Sequence, residues 1–410
     1  MVFDIPSGAK HILKSLNGAG YEAYLVGGCV RDLLRGAPPH DWDVCTSARP
    51  EQTAACFHRE RVLKTGVRHG TVTVLLDGVP YEITTWRAEG PYSDGRRPDH
   101  VRFVGRLEQD LARRDFTVNA MALSIAGALH DPFGGAGDVR AGQIRCVGDP
   151  ARRFQEDGLR LMRALRFAAV LGYGVEERTA QAVHSHRAML DRVSAERIRM
   201  ELCRLLTGPN AGTVLRQFPD VIWRFWPELE PPALAAPSRW EHAVRALEAA
   251  PADIAVRLAV LLRGGPAETL LRRLKFDNAA TKQVAALAQH RDAPAPRDGK
   301  EIRLWLSRLG PELCFRLLAV QRAETLGQAS ETAQARLAEL DRIRAEAEQI
   351  VAEGQCLALK DLAVSGSDVI AAGTGPGPAV GRILDRLLEQ VLSGELPNQR
   401  EILLEQIRRS

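Results

Sequence analysis

The chain has 410 residues, 45% of them hydrophobic and 26% charged, a length that suits two to four domains and the balance of a soluble globular protein. That balance excludes a disordered chain, no stretch approaches the ~20 apolar residues of a membrane span, and the opening MVFDIPSGAKHILKSL has neither the apolar core nor the cleavage site of a signal peptide. The net charge of +4 comes from 55 basic residues of which only seven are lysines, so the chain is arginine-rich; a planar guanidinium suits phosphates and base edges, although codon bias alone produces the same excess.

In chain order, helical spacing over Gly8–Leu16 leads into a short β-branched run, Ala23–Val26, and a second helical pattern, Val30–Leu34. Strands are expected at Asp41–Thr46, Thr71–Leu76 and Tyr81–Trp86, the last two joined by an Asp77-Gly78 hairpin turn. The N-terminal third therefore reads as a small sheet with helices on it. After Pro150 the periodicity is helical: Ala151–Leu171, Glu177–Leu190, Ala195–Leu206, Trp240–Ala249 and Pro251–Leu262 carry apolar residues at i, i+3 and i+4. Proline-rich breaks at 227–237 and 293–296 suggest subdomain boundaries, and Gln321–Val351 reads as one long helix, either a coiled-coil seam or, as its irregular heptads favour, an exposed helix of a bundle. The seven cysteines are scattered, with no CxxC, which argues against a disulfide framework or a zinc ribbon and for a reducing cytoplasm.

Four segments carry chemistry. Gly27-Gly28-Cys29-Val30-Arg31-Asp32 ends a strand and opens a helix, so free backbone N–H groups and Arg31 can meet a phosphate, though a tight turn alone explains a lone Gly-Gly. Asp41 and Asp43, two apart on an expected strand, share a face. Side by side they repel unless a cation bridges them, and oxygen donors beside a phosphate cradle fit Mg²⁺; the plain alternative is two solvated aspartates. Glu82 offers a third acid on an adjacent strand, and three carboxylates can hold two metals about 3.5–4 Å apart. Arg113-Arg114-Asp115-Phe116-Thr117-Val118-Asn119 supplies triphosphate and ribose ligands by type, or a salt-bridged helix start, while Asp131-Pro132-Phe133-Gly134-Gly135 reads as a turn.

On the expected helix from Phe154, the charged residues Glu156, Asp157, Arg160, Arg163 and Arg166 interleave with apolar ones. The structural reading is an amphipathic helix with an Asp157–Arg160 pair worth ~0.2–0.5 kcal/mol. The functional reading has Asp157 and Arg160 presenting an acceptor and donors in one plane. Such an edge pairs with the amine and ring nitrogen of cytosine or adenine. Guanine and uracil would meet like groups there, at ~1–3 kcal/mol for each mismatch.

The motifs GGCVRDLLRGAPPHDWDVCT, TGVRHGTVTV, YEITTWR, YSDGRRPDHV, LARRDFTVNAMAL, DPFGGAGD, IRCVGDPARRFQEDGLRLMRALRFAA and VSAERIRMEL run colinearly over about residues 20 to 205. In that order they resemble the class II nucleotidyltransferases, and specifically the bacterial CCA-adding enzymes; LLRRLKFDNAATKQV and GELPNQREILL look like that family's body and tail. The resemblance implies an α+β chain: a nucleotidyltransferase palm over 1–140, then an all-α neck over 141–206, body over 207–292 and tail over 293–410. It implies template-independent addition of CCA to the 3′ end of tRNA from CTP and ATP, with Mg²⁺ as cofactor and the helical half holding the acceptor and T arms as a monomer or homodimer. By position, Asp41 and Asp43 match the metal-binding aspartates and Glu82 the further acid; Gly28, Arg31 and Arg114 match nucleotide contacts. Asp157, Arg160, Arg163 and Arg166 match the base-templating and phosphate-binding helix, and Asp94–Asp99 a mobile loop that couples primer position to the choice of C or A.

Arg35 stands where the family has leucine, a harmless departure. His242 lacks the His-Asp partner that a hydrolytic C-terminal domain would need at Leu261-Leu262-Arg263-Gly264, so no second hydrolytic site is expected. The rivals are a poly(A) polymerase, an enzyme adding only CC or only A, and a catalytically dead RNA binder; the intact acids argue against the last.

Overall fold

The computed structural model describes residues 3–90, 101–230, 238–263, 265–328 and 333–409, in two compact units, Met1–Glu230 and Pro231–Ser410. The expected loop Asp94–Asp99 lies outside the described residues, as does most of the proline-rich break at 227–237.

The first unit opens with α1 (Ser7–Gly18), which buries Ala9, Ile12, Leu13 and Leu16, the i, i+3, i+4, i+7 stripe of an amphipathic helix. Then follow β1 (Ala23–Val26), α2 (Gly28–Leu34), β2 (Val44–Thr46), α3 (Pro50–Cys56), β3 (Arg61–Leu63), β4 (Thr71–Leu76) and β5 (Val79–Thr85). A two-stranded ribbon, β6 (Arg87–Glu89) with β7 (Val101–Phe103), precedes α4 (Leu107–Ala112). The sheet closes with β8 (Ala122–Leu123) and β9 (Leu129–His130), giving the order β3-β4-β5-β2-β1-β8-β9. It is mixed: β2 pairs β5 in parallel, while the remaining neighbours are antiparallel. Asp77 and Gly78 both take positive φ, 51° and 80°, the two-residue turn whose twist suits the β4–β5 hairpin.

Helices dominate from there. α5 (Gly135–Ala141), β10 (Gln143–Ile144), α6 (Pro150–Glu156), α7 (Leu159–Leu171) and β11 (Gly174–Val175) lead to α8 (Glu177–His186), α9 (Ala195–Thr207), α10 (Ala211–Gln217) and α11 (Pro219–Phe225). α5 starts where the carboxylate of Asp131 accepts the N–H groups of Gly135 and Ala136 at 2.7 and 2.9 Å, so the expected turn is also a helix cap.

Three expectations need correction. The strand expected at Asp41–Thr46 is only Val44–Thr46, the three residues buried on both faces; Asp41 to Asp43 approach it as a loop. The continuous helix expected over Ala151–Leu171 breaks at Asp157-Gly158. A Cβ on Gly158 would lie 2.6 Å from the carbonyl oxygen of Met189, so packing against that backbone decides the position, which apolar spacing does not report. The long helix expected over Gln321–Val351 is two helices, described below.

The second unit comprises α12 (Ser238–Ala249), α13 (Ile254–Leu261), α14 (Ala267–Arg273), α15 (Asn278–His290), α16 (Gly299–Leu309), α17 (Pro311–Gln328), α18 (Ala333–Ala352), α19 (Gly366–Ala371), α20 (Pro378–Leu392) and α21 (Arg400–Arg409). α17 and α18 pack against each other, and α18 buries Leu340, Ile343, Ala347 and Ile350 among Ile302, Leu306, Cys314 and Leu318. A second core gathers Val364, Val369, Leu387, Leu403 and Ile407. His242 sits in a mostly buried trio, its Nε2 2.6 Å from the Glu324 carboxylate with Arg263 against both.

Candidate active site

The sheet positions the acids. Val44 of β2 faces Ile83 of β5 in parallel register, so Asp43, in the loop that enters β2, stands beside Glu82 on β5. Asp43 remains anchored to the sheet because its carbonyl accepts the Val26 N–H at 3.0 Å. Asp41 is exposed, as is Glu82, while Asp43 is partly buried. Burial, the Glu82 carboxylate and Asp41 push the Asp43 carboxyl up to about 6, against the pull of Arg114. The reading that paired Asp41 and Asp43 on one face of a strand therefore fails in its detail: a loop, not the strand pleat, presents them.

Gly27 shows why a glycine stands at the end of β1. Its φ is +80°, and an added Cβ would lie 3.3 Å from Arg114 Nη1 and 3.8 Å from Asp43 Oδ2. Arg114 and Asp43 thus flank this bare backbone. Arg114 Nη2 donates to Asp110 at 3.2 Å, and its buried Nε has no partner. Asp110 is fully buried and also accepts from Arg113 at 3.0 and 2.8 Å and from the Arg87 backbone at 3.2 Å. The RRD segment read as ligands by type is thus partly held by an acid three residues upstream of it, one the sequence reading missed. Its position, one turn before the arginines on α4, was the available signal.

Among the described residues no three His, Cys, Asp or Glu side chains are gathered into a ready-made metal cage, so the three-carboxylate, two-metal arrangement is not formed by the protein alone. The donor set nevertheless fits a hard cation: carboxylate oxygens with open positions, beside an arginine with an unsatisfied N–H. Mg²⁺ characteristically takes one or two carboxylates and completes its shell with substrate phosphates and water.

Arg31 lies on α2 and is buried. Its guanidinium forks onto Asp32 at 3.1 and 3.0 Å and donates to Asn119 Oδ1 at 2.7 Å. Asn119 in turn donates to Asp115 at 3.3 Å, and Asp115 receives Arg163 Nε at 2.8 Å. Arg163 lies 3.9 Å from Glu201, which also meets Arg166 at 2.5 Å, with the Arg166 guanidinium 3.7 Å from the Phe167 ring. One polar chain therefore runs from α2 to α9. Asp115, Asn119 and Glu201 are its links, and only the tertiary fold reveals them.

Asp157 and Arg160 are joined through the backbone, the Arg160 N–H donating to the Asp157 carbonyl at 3.0 Å, and each side chain reaches further partners. Arg160, in the first turn of α7, donates to Glu156 at 2.6 Å and to the carbonyl of Arg153 at 3.1 Å. Asp157 sits in the break, where it caps Leu159 N at 3.0 Å and receives Arg197 Nη2 at 2.8 Å. Arg197 lies within the VSAERIRMEL motif but was given no role there, although a cation in a helix's first turn is electrostatically out of place and was a signal.

A mixed sheet in which a strand acid and a loop acid meet beside a glycine turn and an arginine, followed by a charged helical layer, defines the head of a nucleotidyltransferase. Family models agree: residues 23–145 match the Poly A polymerase head domain, 172–218 the probable RNA and SrmB-binding site of polymerase A, and 254–407 a putative tRNA nucleotidyltransferase domain 2. The chain is 38% identical to the CCA-adding enzyme of Lactobacillus delbrueckii subsp. bulgaricus, over 97% of this chain and 96% of that one. It is 34% identical to that of Enterococcus faecalis, over 97% and 94%. The structure of the Bacillus stearothermophilus CCA-adding enzyme in complex with CTP matches with a TM-score of 0.76 and 33% identity, over 98% of this chain and 96% of that one. A Thermotoga maritima CCA-adding enzyme complexed with tRNA shares the fold at a TM-score of 0.66 and 21% identity, over 98% and 95%. The chain belongs to the family of CCA-adding enzymes.

Proposed function

We propose that this protein adds C, C and A to the 3′ end of tRNA without a nucleic-acid template, taking CMP and AMP from CTP and ATP and releasing pyrophosphate. The observation that carries this reading is that Asp43 stands beside Glu82 and, with Arg114, flanks Gly27, in a chain alike over nearly its whole length to CCA-adding enzymes. Asp41 and Asp43 would hold Mg²⁺, which when bound neutralises phosphate charge and favours the ionised 3′-hydroxyl. Glu82 orients that hydroxyl and helps take its proton. The 3′ oxygen attacks the α-phosphorus, the α–β phosphoanhydride bond breaks, and its electron pair leaves with pyrophosphate. Arg114, with Arg31 and Gly28, steadies the triphosphate.

Asp157 and Arg160 read the base: an ionised carboxylate only accepts and a guanidinium only donates, which suits the amine and ring nitrogen of cytosine and adenine. Arg163 and Arg166 frame that layer. The divisions 1–140, 141–206, 207–292 and 293–410 correspond in this reading to palm, neck, body and tail, with the tRNA acceptor and T arms gripped through backbone charge and shape. The seven cysteines, all free, support a cytoplasmic, reducing setting, and among the described residues no helix is long and apolar enough to cross a membrane.

Incubating the protein with tRNA lacking its tail, with CTP and ATP separately and together, tests the reading. Growth by CCA and no further supports it. A long adenosine tract, or addition of only CC or only A, overturns it in favour of a poly(A) polymerase or a partial enzyme.

A further inference from the structure

Asp157 accepts bonds from two elements that are remote in sequence. Its Oδ1 caps Leu159 N at 3.0 Å, at the start of α7, and Arg197 of α9 reaches Oδ2 at 2.8 Å and Oδ1 at 3.4 Å. The backbone there is extended, with φ −143° and ψ 107°, so the residue belongs to neither flanking helix and does not inherit a helical side-chain direction. A carboxylate offers about four lone-pair sites. Three are taken by these donors, two at Oδ1 and one at Oδ2, and the remaining one lies on Oδ2. Both side chains are mostly buried, at 14% exposure for Asp157 and 22% for Arg197, so solvent screens the pair less than a surface bridge.

Arg197 gains little from its own helix. It occupies the first turn of α9, where the macrodipole disfavours a cation. Its guanidinium meets the carboxylate of Asp157, and the bidentate fork fixes the plane of that carboxylate as a lysine would not.

We propose that Arg197 is a specificity-determining positioning residue: it orients the Asp157 carboxylate so that one lone pair of Oδ2 is left facing the exocyclic amine of an incoming cytosine or adenine. The inference rests on the reading of Asp157 as the base acceptor. Without Arg197 the carboxylate keeps its cap on Leu159 but loses its fixed plane, and the selection against uracil and guanine weakens.

The test compares Asp157→Ala, Arg197→Ala, Arg197→Lys and the double alanine variant. Each is assayed for kcat and KM with CTP, ATP, UTP and GTP on tRNA lacking its tail, with thermal unfolding as the check on folding. Arg197→Ala is expected to lower the CTP-over-UTP and ATP-over-GTP ratios of kcat/KM about tenfold, within the range of one lost polar match. Arg197→Lys keeps the charge but recovers less than half of that discrimination, and the double variant is no less selective than Asp157→Ala. If Asp157→Ala relaxes the preference while both Arg197 variants keep it at the parental value, the role of Arg197 is overturned and that of Asp157 stands. If Asp157→Ala itself leaves the preference unchanged, the base-acceptor reading is what fails. Should Arg197→Ala not fold, a folded Arg197→Lys with full discrimination overturns the proposal equally.

Discussion

Two aspartates of the same unit live under opposite electrostatics. Asp43 stands beside Glu82 and Asp41, and burial together with those like charges pushes its carboxyl up to about 6 in spite of Arg114. For Asp115 burial pulls in the same upward direction, yet the Arg163 guanidinium, hydrogen-bonded to it at 2.8 Å, overrides it and holds the carboxyl at about 2. Burial alone therefore does not distinguish a reactive carboxylate from an architectural one; the sign of the neighbouring charges does. The centre of the sheet gathers acids that await a cation, whereas the helical layer spends its arginines on neutralising acids within the protein. The same residue types build both regions, and the register of β2 on β5 against the packing of α7 on α9 sorts them.

The largest effect should come from undoing a neutralised pair. Asp115→Ala takes from Arg163 its hydrogen-bonded acid, leaving Glu201 3.9 Å away, and deprives Asn119 of a partner; with Arg163 one-third exposed, urea unfolding should register a loss of about 3 kcal/mol. Asp43→Ala sharpens the contrast: incorporation should fall about 10²–10³-fold in kcat, while unfolding and tRNA affinity in a filter-binding assay stay near the parental values. A comparable loss of fold stability in Asp43→Ala would erase the distinction between the two aspartates.

Acid provides a gentler probe of the same pair. The Asp115 carboxyl lies below its ordinary value of 3.8, at about 2, so its contribution is fully present above about pH 4. It should fade as the pH falls toward about 2, removing about 2 kcal/mol, and Asp115→Asn should flatten that part of the stability–pH curve. The smallest effect belongs to exposed pairs such as Arg344 with Glu348 on α18, 2.8 Å apart and about half exposed. Glu348→Ala should change unfolding free energy by no more than about 0.5 kcal/mol.

Much of the site was legible in the residues. Strand β1 at Ala23–Val26, strand β4 at Thr71–Leu76 and the Asp77-Gly78 hairpin lie where β-branched alternation and turn chemistry put them. The pairing of Glu82 beside the acids also follows the strand reading, since β5 does lie against β2. Less legible were the breaks. The Asp157-Gly158 step interrupts a helix whose apolar spacing continues across it, although Asp-Gly is itself a turn signal. The helix expected over Gln321–Val351 likewise became α17 packed on α18, because apolar spacing alone does not report where one helix ends and the next begins.

Local sequence by itself determined the main strands and helices, though not their breaks, and which acids, arginines and amides are available, because backbone propensity and turn geometry act over a few residues. What each charged group does was decided only by tertiary structure. Arg197 meets Asp157, Arg163 meets Asp115 and Asp110 gathers Arg113 and Arg114 through bonds that depend on distance and burial in space. Coulomb energy depends on separation and on the surrounding medium, and a sequence specifies neither until the chain has folded.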